Sequence, residues 1–231
     1  MKLKTNLLII LIFTWTLLIT GCQTNGSPEE LKKEAGAEEI EKGDNGEAFP
    51  DHEALQKVEK EIVLDRWEPL QLIIPAIELE LQVLSDHHTY DQEEIGTEPW
   101  KFSSEDYNRW INKLMPLLDE GPVHYQFSAL PGTENGNVVI AGHSPGPWYF
   151  FHDLDLLESG DDIILETGDY RFVYEVQWQE IVDKYDWSLL FDTDYPALTF
   201  QTCYPKDYAG YDHPERLIIR ARLDEVYLPP E

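Results

Sequence analysis

Cationic side chains are scarce in this 231-residue chain, with 17 Lys and Arg against 45 Asp and Glu and a formal net charge of −28 at pH 7. That balance excludes a nucleic-acid binder, because polyphosphates select basic surfaces. It suits a saline or alkaline exterior, where self-repulsion keeps a protein soluble. Cysteine is rarer still: Cys22 and Cys203 are the only two, too few for a disulfide framework. The seven histidines are scattered and show no His/Cys ligand spacing of a zinc site. No apolar run reaches the about 20 residues that a transmembrane helix needs; the run from Leu7 to Ile19 falls short. Aromatics are not lacking. Seven Trp and twelve Tyr supply a core and exclude global disorder.

Residues 1–21, with Lys2 and Lys4 before the apolar run, read as a secretory signal. Residues 22–65 are rich in Glu, Lys and Gly and read as an acidic flexible tether, unable to bury enough surface to offset its ordering entropy. Within it, the amphipathic spacing of Ala54 to Leu64 predicts a short helix. A folded domain follows over 66–231. It opens with a strand from Leu70 that Pro75 stops, then a second from Leu79 to Leu84. Ser103 or Ser104 caps a helix running to Leu118, whose stripe of Tyr107, Trp110, Ile111, Leu114, Leu117 and Leu118 faces a core. Val138 to Ala141, Ile163 to Glu166 and Tyr170 to Gln177 are further strands. The chain is therefore mostly β with a few short helices, consistent with a closed barrel.

The segment from Leu198 to Leu223 carries the chemistry. Leu198, Phe200 and Thr202 alternate with Thr199 and Gln201 as in a half-buried strand, and Cys203 stands where Tyr204-Pro205 ends it. Arg216 opens the next strand. Antiparallel pairing would make Cys203 and Arg216 neighbours, a thiol nucleophile beside an oxyanion stabiliser. The same two residues also fit a buried packing cysteine near a surface arginine. His143 follows the apolar strand Val138 to Ala141, and Gly142 is expected to allow it unusual backbone angles.

Thr202-Cys203-Tyr204-Pro205 with Pro214-Glu215-Arg216, the segment Asn137-Val-Val-Ile-Ala-Gly-His143, and Leu154 to Leu165 with its Gly160-Asp161 together resemble the sortases, class D most of all. The resemblance runs from about Leu70 to Val226. It implies a closed sortase-type β-barrel, with Cys203, His143 and Arg216 as catalytic residues. It also implies substrate binding by Thr202, Trp148 and Ser128, with Ser144 where most relatives carry arginine. The implied reaction is transpeptidation: cleavage of a Leu-Pro-x-Thr-Gly-like sorting signal through a thioacyl-enzyme, then transfer to a peptidoglycan-precursor or pilin amine. Ile19-Thr20-Gly21-Cys22 resembles a lipobox, which implies lipidation at Cys22 and a place on the extracellular face of the cell membrane; an uncleaved signal anchor with an incidental Cys22 is the competing reading. A cysteine protease that hydrolyses its acyl-enzyme and a non-catalytic surface binding domain are the competing readings. No cofactor is expected; calcium in the acidic loop from Asp91 to Glu98 has no support beyond charge.

Overall fold

The computed structural model describes residues 55–59, 62, 64, 70–86, 98–146, 149–210 and 212–228. Eight strands form among them: β1 (Leu70–Ile74), β2 (Leu79–Ser85), β3 (Val123–His124), β4 (Asn137–Gly142), β5 (Asp162–Glu166), β6 (Arg171–Asp183), β7 (Ala197–Tyr204) and β8 (Glu215–Tyr227). They close into a barrel in the order β1-β2-β3-β4-β7-β8-β6-β5. Period-2 alternation sends Leu70, Leu72, Ile74, Val138, Ile140, Leu198, Phe200, Leu217 and Ile219 to one interior cluster. Each such side chain removed from water contributes roughly 1.5–3 kcal/mol. Pro75 ends β1 as the sequence predicts, by opening the 3-10 turn Pro75–Ile77.

One α-helix, α1 (Ser104–Glu120), lies between β2 and β3. Ser103 caps it by accepting a hydrogen bond from Asp106 N at 3.1 Å. Trp110, Leu114 and Leu118 recur every fourth residue and are buried, so one helix face packs against Val139, Ala141 and Ile218 on the outside of the barrel. Tyr107, from the same predicted core stripe, is instead partly exposed.

The helix expected over 54–64 is not seen at its described residues. Residues 56–58 lie against β8, with Val58 N donating to Val226 O and Leu228 N to Gln56 O. The cause is β8, which runs past its last β7 partner, Arg222 opposite Ala197. Its far end would otherwise leave ladder groups unpaired. Val58, Ile62 and Leu64 then pack against the interior cluster, so apolar spacing that fits a helix serves a docked strap. β6 is also longer than expected, pairing with β8 as far as Asp183 opposite Glu215.

Candidate active site

Strand register brings the three proposed catalytic residues to one rim. β4 and β7 pair in parallel up to Gly142 opposite Thr202, and the next residue on each chain is His143 and Cys203. β7 and β8 pair antiparallel with Cys203 opposite Arg216, the placement anticipated from the two sequence runs. Alternation puts Cys203 on the outward-facing side with Thr199 and Gln201, and Arg216 with Ile218 and Arg220. His143 lies one residue past the last β4 pair, in step with Val139 and Ala141. All three line a cleft of about 720 Å³, walled by Tyr107, Ile111 and Met115 of α1 on one side and Tyr208 and His213 on another.

Burial pushes the Cys203 thiol up in pKa, the Arg216 guanidinium opposes that, and the Asp212 carboxylate adds to it. Burial pushes the His143 imidazole down, opposed by the Asp119 carboxylate, whose Oδ1 lies 3.4 Å from Nε2. Both shifts favour the uncharged thiol and imidazole over their charged forms, with Arg216 and Asp119 acting against that bias. Arg216 is held by Nη1, which donates to His213 O at 3.0 Å and Glu215 O at 2.8 Å. His213 is itself buried; its Nδ1 donates to Pro205 O at 3.0 Å, and the Tyr208 ring stands 5.1 Å away.

Gly142 serves a different purpose from the one expected. It is not among the glycines with positive φ; instead, a Cβ there would sit 2.6 Å from Phe151 Cδ2. The glycine lets the buried Phe151 ring approach the strand end that carries His143. Thr202 lines the cleft, and its hydroxyl donates to Gly142 O at 2.7 Å.

Ser128 is not at the cleft. Its hydroxyl donates to Tyr125 O at 2.7 Å and accepts from Val139 N at 3.0 Å, with His124 Nε2 at 3.1 Å. It knots the β3–β4 connection and is not among the residues that line the cleft. Cys22, Trp148 and residues 91–97 of the acidic loop lie outside the described residues. Asp119 and Asp86 had no sequence signal, whereas Ser144 drew notice only as standing where the family resemblance leads one to expect arginine. Asp119 arrives from the last turn of α1, and Ser144 is buried against Cys203. Asp86 is buried beneath α1, accepting from Gln126 N at 2.5 Å and Trp110 Nε1 at 3.3 Å. Desolvation raises Asp86 to a pKa of about 6.

Residues 72–224 match the profile described as Sortase domain. Sortase D of Bacillus subtilis (strain 168) is 37% identical over 118 residues, an alignment covering 47% of this chain and 57% of that relative. Among solved structures, SrtA sortase from Actinomyces oris superposes with a TM-score of 0.54 at 18% identity, over 76% of this chain and 94% of that one. Listeria monocytogenes sortase A gives a TM-score of 0.52 at 16% identity, over 71% and 92%. At those identities the structures speak for the fold alone. With the family profile covering well over half of its length, the chain belongs to the sortase family.

Proposed function

We propose that this protein is a sortase-type cysteine transpeptidase that cleaves a Leu-Pro-x-Thr-Gly-like sorting signal between Thr and Gly and passes the acyl group to a cell-wall or pilin amine. The observation that carries the reading is the convergence of Cys203, His143 and Arg216 on one cleft from the ends of three adjacent strands. In the thiolate–imidazolium form, Cys203 Sγ attacks the threonine carbonyl carbon, and the π electrons move to oxygen. Arg216, held at its Nη1, donates toward that oxyanion. Collapse restores the carbonyl, breaks the C–N bond and leaves a thioester on Cys203. The His143 imidazolium gives its proton to the departing glycine nitrogen. An incoming amine then attacks the thioester carbon and yields a proton to the His143 imidazole. Cys203 leaves as thiolate, and the ion pair is restored.

The cleft walls fit an extended peptide. Tyr107, Ile111 and Met115 offer apolar surface for a leucine-proline pair, while Thr202 and Trp148 belong to the proposed substrate contacts. The substrates on this reading are surface proteins with C-terminal sorting signals. The enzyme works at the extracellular face of the cell membrane, held by lipid on Cys22 behind the Gly21–Cys22 bond. Labelled fatty acid should enter the parent and not Cys22→Ala. For the reaction, the enzyme is incubated with a Leu-Pro-x-Thr-Gly peptide and excess glycine-based amine, and products are weighed. A new amide joining the Leu-Pro-x-Thr fragment to the added amine supports transpeptidation. Free carboxylate alone, unchanged by amine, supports the hydrolytic protease reading.

A further inference from the structure

Where the β4–β7 ladder stops, two side-chain hydroxyls bridge it, one from β7 and one from the residue two past the end of β4. Below the His143–Cys203 pair, the Thr202 hydroxyl donates across to Gly142 O at 2.7 Å. Above it, the Ser144 hydroxyl donates back to Cys203 O at 2.5 Å. The first bond joins the residues preceding His143 and Cys203, and the second joins the residue after His143 to Cys203 itself. Ser144 is 2% exposed, so its hydroxyl is withdrawn from solvent and its bond to a backbone carbonyl is not diluted by competing water. Its own carbonyl is fixed as well, accepting from His152 Nδ1 at 3.1 Å. His152 O in turn accepts from Lys206 Nζ at 3.2 Å, three residues past the cysteine. The Lys206 ammonium is paired with Asp155 at 2.7 Å. The chain of contacts returns to the Cys203 segment through Ser144, His152 and Lys206.

We propose that Ser144 is a positioning residue of the catalytic apparatus: its buried hydroxyl fixes the Cys203 backbone against the His143 backbone and so sets the distance between thiol and imidazole. This rests on the cysteine transpeptidase reading above. Neither strand alone can hold that distance, because β4 and β7 have no further ladder pair beyond Gly142 and Thr202. A serine hydroxyl is short and has one χ angle to freeze, which suits a fixed clasp better than a long polar side chain. Small errors in such a distance matter, since a displacement of about 1 Å between reacting groups lowers rates by up to about 10².

The test is a double-mutant cycle on the full chain, read as the rate of Cys203 alkylation by iodoacetamide at pH 7, with the Cys203 peptide quantified by mass. This reading needs no knowledge of the natural substrate. His143→Ala should slow alkylation, because the thiolate loses its imidazolium partner. Ser144→Ala should slow it about threefold to tenfold, and Ser144→Thr, which keeps the hydroxyl, should restore most of the parental rate. In the His143→Ala background, Ser144→Ala should add almost nothing, since the contact it positions is already gone. If Ser144→Ala slows alkylation equally in both backgrounds, or not at all, the positioning proposal is overturned while the catalytic reading stands. If His143→Ala itself leaves alkylation unchanged, both fail together. Should Ser144→Ala not fold, His152→Ala takes its place: it must slow alkylation by a smaller factor, again only when His143 is present. A folded His152→Ala with parental alkylation overturns the proposal.

Discussion

Strands β4, β7 and the stretch of β8 up to Ala221 are largely buried on both sides, yet the two sides are built differently. Inside the barrel they present Val138, Ile140, Leu198, Phe200, Leu217, Ile219 and Ala221, an apolar surface whose only requirement is dense packing. Outside, under α1 and the connection after β6, Val139, Ala141 and Ile218 are interleaved with buried Asn137, Thr199, Gln201 and Arg220. Each of these four has a partner on another element or the neighbouring strand. Thr199 Oγ1 donates to Asn137 Oδ1 at 2.6 Å, and Asn137 Nδ2 donates to Phe191 O at 3.2 Å. Tyr125 OH donates to Gln201 Oε1 at 3.3 Å, and Arg220 bonds to Leu189 O. The inner side fixes where the strands run. The outer side, by the same alternation, turns Cys203 and Arg216 toward the cleft, where polar groups can be oriented.

The sharpest way to separate the two sides is a pair of truncations. Cys203→Ala should abolish acyl transfer with a melting temperature close to the parent. Phe200→Ala, on the inner side, should lose roughly 3–5 kcal/mol of stability yet keep near-parental kcat per folded molecule. Denaturant titrations and rates corrected for folded fraction give both numbers. A Phe200→Ala enzyme that is stable but inactive would break the division. Next in size is Arg216→Lys, which keeps a cation and loses the planar fork of donors. Transfer should fall about 10²-fold with an unchanged melt; a nearly active variant would make Arg216 a bystander.

Two smaller effects probe the polar groups under and beside α1. Asp86 has its pKa raised to about 6 by desolvation, above the unfolded carboxyl value of about 4. The folded state thus holds this proton where the unfolded state has lost it, and Asp86 favours folding at low pH. That contribution should fade as pH rises from about 4 to 6, by up to roughly 3 kcal/mol. Asp86→Asn should lack this slope, read as the difference between the two stability–pH curves; parallel curves would contradict the assignment. Smallest is Asp119→Asn. The carboxylate opposes the burial that lowers His143, so its loss should move the acid limb of kcat/KM to lower pH and reduce the plateau a few-fold. An acid limb that stays or moves upward would remove Asp119 from the site. Screening at this solvent-facing carboxylate keeps the expected shift modest.

Much of this was legible from local pattern. The alternation in Leu198, Phe200 and Thr202, the break at Pro205 and the arginine opening the next run place Cys203 opposite Arg216 once the two runs pair antiparallel, as they do. Ser103 and the fourfold spacing of Trp110, Leu114 and Leu118 were enough for α1. What escaped depends on contacts far apart in sequence. Asp119 meets His143 only because α1 lies over β4, and Asp86 is buried only because Trp110 covers it. The segment near Val58 has apolar spacing compatible with a helix and with a docked strap, and the edge of β8 that runs past its last β7 partner is invisible locally. Ser128, implied as a substrate contact by the resemblance, engages its hydroxyl inside the β3–β4 connection.

The central claim is that Cys203, assisted by His143 across the β4–β7 strand ends, takes up the acyl group. Intact-mass and peptide-mass measurement of the enzyme incubated with a Leu-Pro-x-Thr-Gly peptide, in the absence of added amine, tests it directly. The account predicts a mass gain equal to the Leu-Pro-x-Thr acyl fragment, located on Cys203, formed far more slowly in His143→Ala and discharged by added amine. Peptide cleavage with no adduct, an adduct on another residue, or an adduct formed equally fast without His143 would contradict it.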